Sequence, residues 1–133
     1  IMLQLNEEIK RLDDTPDIET TLVIVTQHLF DCESFNQTLD AIDDMLEQYG
    51  WSGVFQVASF HPQYQFADTQ IDDRENWTNR SPCPIFQILR ESSIELAIEN
   101  FPTIADLPQE NIKRMNALSS QVFAQVLEAS RIS

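Results

Sequence analysis

Glycine is almost missing from this 133-residue chain, which carries only Gly50 and Gly53. A phosphate-cradling loop needs several glycines at fixed offsets, so nucleotide binding of that type is excluded. Basic residues are scarce as well: 8 Lys and Arg stand against 22 Asp and Glu, a formal net charge of −14. That balance argues against nucleic acid or an anionic membrane as partner. The acids are spread along the chain, as expected of a solvated acidic surface rather than an interaction tail. Two cysteines, Cys32 and Cys83, cannot build a disulfide framework, and a reduced, cytoplasmic setting is expected. No apolar run approaches the roughly 18–20 residues of a membrane span, and no signal peptide is visible. The glycosylation-like patterns at Asn36, Asn76 and Asn79 then count as chance.

What is present fits one domain over residues 1–133, long enough to bury a core without staples. The chain opens at Ile1 rather than Met, and a fragment of a slightly longer protein is expected. Leu3, Leu5, Ile9 and Leu12 pattern a helix that ends before Pro16. Thr20–Thr26, TTLVIVT, is apolar on both faces, which suits a central strand of a parallel sheet. Ser34 and Gln37 have capping-box spacing at the head of a helix whose stripe is Phe35, Leu39, Ile42, Met45, Leu46 and Tyr49, with Gly50 as its stop. Gly53–Phe60 reads as a second strand, parallel to the first through a βαβ crossover. Pro84–Asn100 and Pro108–Ala129 read as two C-terminal helices, the first through Ile85, Ile88, Leu89, Leu96 and Ala97.

The expected architecture is therefore α/β: a small parallel sheet of βαβ type, flanked by helices, with a long loop. Two strands alone are not stable. A third is expected from a segment before Ile1, with Gln63–Phe66 or a partner chain as other sources.

The stretch from His61 to Pro84, HPQYQFADTQIDDRENWTNRSPCP, has no periodicity of its own. Loops of that length inside a compact domain are usually functional or disordered, and the aromatic content argues against disorder. In parallel sheets ligands bind beyond the carboxyl ends of the strands. His61 stands one residue past the second strand, and His28 stands near the end of the first. At the loop's far end Asn79, Arg80, Ser81 and Pro82 lead into the expected helix, with Ser81 as N-cap. A helix start offers free amides to a phosphate or carboxylate. His61, Arg80 and that start would make an anion pocket. The structural alternative is a loop in which Asn79 and Ser81 cap, Arg80 pairs with an Asp and His61 bonds internally. Tyr64, Phe66 and Trp77 either stack on a ligand or pin the loop to the domain. Cys83 reads as an activated thiolate with His61 as base, or as an inert buried thiol. A metal could draw on His61, Asp68, Asp72, Asp73 and Cys83, but no closely spaced ligand pair is present and no metal site is assigned. Asp72–Glu75 reads as a solvated loop tip.

Three stretches, Glu19–Val25, Ala58–Ala67 and Asn76–Pro82, resemble an uncharacterised bacterial family, the domain of unknown function "fourteen-fifteen". His61-Pro62-x-Tyr64-x-Phe66 and Asn79-Arg80-Ser81-Pro82 carry most of the likeness, joined by Leu89–Ser93 and Ile104–Ile112. The resemblance implies no established reaction and identifies no cofactor. It implies that members begin earlier, with an Asn-Leu-Cys-Pro-Phe segment and a further strand, and that position 83 tends to be aromatic. It thereby shifts weight from Cys83 to His61, Asn79, Arg80 and Ser81.

The functional expectation is a small acidic bacterial protein that binds or acts on an anionic small molecule through the 61–84 loop. His61 would be the general acid or base. Arg80, Asn79, Ser81, Tyr64 and His28 would bind. One alternative is a non-enzymatic module, with a homodimer seam along an open strand edge. A second is a metal-dependent hydrolase.

Overall fold

Six residues in the middle of the chain decide the architecture. Ile85–Arg90, IFQILR, is a strand, β3, and not the start of a helix. It lies at the centre of a three-stranded sheet of order β1-β3-β2, between β1 (Thr20–Ile24) and β2 (Phe55–Phe60). Both pairings are antiparallel, running from Thr20↔Leu89 to Ile24↔Ile85 on one side and from Phe55↔Arg90 to Phe60↔Ile85 on the other. The expected parallel sheet is thus corrected to an antiparallel one. The expected third strand comes from within the 84–100 stretch, not from Gln63–Phe66, a partner chain or a segment before Ile1. The structure, a computed structural model, describes residues 1–130.

The physical reason lies in the ambiguity of a short apolar run. Ile85, Ile88 and Leu89 satisfy helical spacing, but the same six residues also alternate with period two. Phe86 and Ile88 are buried, whereas Ile85, Gln87 and Leu89 lie on the other face at intermediate exposure. Pro82 and Pro84 disfavour the helical conformation in the residues before them, so a helix starting there is opposed. The helix begins only afterwards, as α3 (Glu91–Asn100).

β1 and β2 still run in the same direction, with β3 inserted between them and α2 (Cys32–Gln48) as the crossover. This is the split βαβ arrangement. Its consequence is that the exits of β1 and β2 open at the same end of the sheet, because Ile24 and Phe60 both pair with Ile85.

Helix α1 (Met2–Asp14) and α2 supply the second layer. Leu5, Ile9 and Leu12 meet Phe35, Ile42, Met45 and Leu46, and together they cover Phe55, Phe86 and Ile88 of the sheet. Arg90, at the end of β3, ties these layers together. Its guanidinium donates to the carbonyls of Leu12 at 2.6 Å, Thr15 at 3.1 Å and Ile18 at 2.8 Å. The Leu12 carbonyl lies in the last turn of α1, where it also accepts the Thr15 amide and where a cation is favoured.

α2 starts three residues earlier than the Ser34–Gln37 spacing implies. Asp31 is its N-cap and accepts from the Ser34 amide at 2.7 Å. The stop is as read: Gly50 sits at φ 71°, its amide donates to Glu47, and the Trp51 amide reaches Leu46 at 2.8 Å. That pair of bonds is the Schellman closure.

The expected last helix is divided into α4 (Leu107–Ala117) and α5 (Ser120–Ser130). Arg74 fixes the joint by donating to the Leu118 carbonyl while its guanidinium lies 4.7 Å from the Phe123 ring centroid. Among the described residues, no helix is long and apolar enough to cross a membrane.

Candidate functional site

The exits of β1 and β2 meet through His61. The ring is 1% exposed. Nδ1 accepts the Gln63 amide at 3.0 Å, so the proton resides on Nε2, which donates to the Leu29 carbonyl at 2.9 Å. Leu29 adopts a left-handed backbone, φ 62°, which costs a non-glycine residue about 1–2 kcal/mol. The bond to His61 offsets that cost and locks the β1 exit to the β2 exit. Phe35 packs on the imidazole with centroids 4.5 Å apart. His28 itself is exposed, and the contact with His61 is made by its neighbour Leu29.

Similar side-chain-to-backbone bonds hold the rest of the 61–84 segment. Asn76 is fully buried: its Oδ1 accepts the Phe66 amide at 2.8 Å and the Thr69 hydroxyl at 3.0 Å, and its Nδ2 donates to Gln70 at 2.7 Å. Arg80 donates to the carbonyls of Tyr64 at 3.0 Å and Ile71 at 2.7 Å, and stacks 4.4 Å over Trp77. Burial lowers the pKa of its guanidinium, with Asp72 acting in the opposite sense. Asn79 donates to the Ser59 carbonyl at 3.3 Å, and its own carbonyl accepts the His61 amide. Ser81 donates to the Cys83 carbonyl, and no helix follows it, so the expected helix-start wall is absent. Cys83 is buried. Trp77 packs edge-on against Phe123. Of the expected constellation, His61 lines the cleft between the loop and α2, whereas Arg80 and Ser81 are not among its lining residues. His61, Asn79, Arg80 and Ser81 each donate to a backbone carbonyl, those of Leu29 and Ser59 at the strand exits and of Tyr64, Ile71 and Cys83 within the loop.

What the fixed loop does create is a cleft of about 410 Å³ between its first half, His61–Ile71, and the first two turns of α2. Such a volume lies in the range of small-molecule sites. Polar groups are contributed by Cys32, Asn36, Gln63, Tyr64, Gln65 and Asp68. Phe35, Leu39, Phe66 and Ile71 supply apolar surface. Tyr64 and Phe66 meet edge to face at 5.0 Å. The Cys32 thiol donates to Gln63 Oε1 at 3.4 Å, a bond that bridges the two walls. Tyr64 is the one expected binding residue whose side chain lines the cleft outside the loop's hydrogen bonding; Cys32 and Asn36 were not anticipated as site residues, and Asp68 only as a candidate metal ligand. Cys32 and Asn36 could have been found had the start of α2 been placed at Asp31. Among the described residues, no group of three or more His, Cys, Asp or Glu is arranged to hold a metal ion.

The molecule is thus a split-βαβ α/β protein whose strand exits carry a pinned loop and a cleft. The family model described as "Protein of unknown function (DUF1415)" matches residues 1–125, and the chain belongs to that family. No curated protein and no solved structure matches the chain.

Proposed function

We propose that this protein is a small-molecule binder whose site is the cleft between α2 and the His61–Ile71 loop. The observation that carries the reading is how the loop's bonding is spent. His61, Asn76 and Arg80 use their polar atoms to fix backbone around the cleft, whereas the side chains of Asn36, Tyr64 and Asp68 line it with no hydrogen bond to another described group. Rigid walls with uncommitted polar groups over an apolar surface are the usual make-up of a ligand site. His61 supports such a site as a positioning residue. With both ring nitrogens bonded to backbone, it has no free atom to take a substrate proton.

The test is a small fragment set screened by thermal shift against the wild type and Asn36→Trp. Asn36 is exposed on α2, so the larger side chain fills the cleft without entering the core. Compounds that raise the wild-type Tm are expected to lose that effect in the variant. Equal stabilisation of both proteins would rule out the cleft as the site.

A further inference from the structure

Resting on that reading, we propose that the ligand is an organic cation: a protonated amine carried on a small apolar or aromatic body, with Asp68 as its counter-charge. The charges around the cleft point one way. No Lys or Arg lines it, and Asp68 is the one side chain in its lining that carries a formal charge with neutral histidine. Arg80 is not among the lining residues and donates to the carbonyls of Tyr64 and Ile71. The positive end of α2 is already matched by the Asp31 carboxylate, and Glu33 follows in the first turn. A ligand carboxylate or phosphate would therefore meet no free cation, and would face Asp68 instead.

The turn that carries Asp68 is built to present it. The Thr69 amide closes a turn onto the Phe66 carbonyl, and Asp68 occupies its third position with φ 62°. Gly, Asn and Asp are the residues that tolerate such a position, and in this chain it is held by a carboxylate. Asn76 anchors both ends of that turn, through the Phe66 amide and the Thr69 hydroxyl. Asp68 itself makes no hydrogen bond or ion pair with another described residue. Beside it lie the rings of Tyr64 and Phe66, whose faces attract a cation, while the Tyr64 hydroxyl and Asn36 carbonyl can accept from an ammonium. A net charge of −14 further draws cations toward the surface and repels anions.

Three probes of one size separate ligand charge from ligand shape: 2-phenylethylamine, 2-phenylethanol and 3-phenylpropionate, titrated calorimetrically into the wild type, Asp68→Asn and Asn36→Trp. Asn keeps the side-chain shape and is at ease in the left-handed conformation, so Asp68→Asn removes the charge with the turn intact. The amine is expected to bind most tightly and the carboxylate most weakly, with Asp68→Asn weakening the amine by about 3- to 10-fold, as for a partly exposed charge-assisted contact. Equal or tighter binding of the alcohol or the carboxylate, lost in Asn36→Trp, would overturn the cation assignment and leave the cleft as a binding site. Amine binding unchanged in both variants would mark diffuse attraction to an acidic surface and overturn the assignment too. If none of the three binds at millimolar concentration, the cation assignment fails, and the fragment screen decides the cleft separately.

Discussion

At the scale of single residues, the 61–84 segment is held by side chains that serve the backbone. His61 is the clearest case: one ring nitrogen accepts from Gln63, the other donates to Leu29, and Phe35 closes its face. Replacing it with Ala orphans a part-buried amide and carbonyl and leaves a cavity where the buried ring stood. His61→Ala is expected to cost about 2–4 kcal/mol of stability by urea denaturation. An unchanged midpoint would show that the ring is not a structural pin. The importance of His61 was legible from its place after an apolar strand, but its role was not, because sequence does not show how many of its nitrogens are occupied. Asn76 was harder still. It resembles a chance glycosylation pattern, and only the folded loop shows three hydrogen bonds converging on it. Arg90 carried a signal that periodicity hid: a charge at an inward position of an alternating apolar strand requires buried acceptors, and the end of α1 provides them.

At the scale of elements, local signals with their own chemistry were readable and those that depend on neighbours were not. The stop of α2 at Gly50 follows from a left-handed backbone that needs no tertiary context. Its start did not follow from spacing alone, because Asp31, Ser34 and Gln37 offer competing caps and the loop after β1 selects Asp31. The identity of Ile85–Arg90 as a strand depends on two partners distant in sequence, which is why a helical reading of the same residues was open. The Asp31 cap has a consequence for pH. The Ser34 amide, then the Ser34 hydroxyl, holds the folded carboxyl below its ordinary value of 3.8. A depressed folded pKa contributes stability that is fully present above the unfolded value and is lost as pH falls through the folded one. The Tm advantage of wild type over Asp31→Asn is therefore expected to shrink as pH drops below 3.8. An advantage that stays constant through that acid range would contradict the charged cap.

At the scale of the whole molecule, the split βαβ order explains why a site could be anticipated at the correct end of the wrong sheet. The expected strands are antiparallel to their true neighbour yet parallel to each other, so both exits still open together, and the 61–84 loop bridges them. What could not be read from the sequence was which of the loop's polar residues would be consumed in shaping it. Arg80 and Ser81 turn inward to backbone carbonyls, and the open space forms instead against α2, whose Cys32 faces the loop. Because Cys83 is buried and Cys32 is exposed, a thiol reagent reports on the cleft selectively. The most direct measurement is the rate of Cys32 alkylation by iodoacetamide, followed by intact mass, with and without compounds that raise the Tm. Those compounds are expected to slow alkylation in proportion to their occupancy. Stabilisation with an unchanged alkylation rate would place the ligand elsewhere and contradict a binding site between α2 and the His61–Ile71 loop.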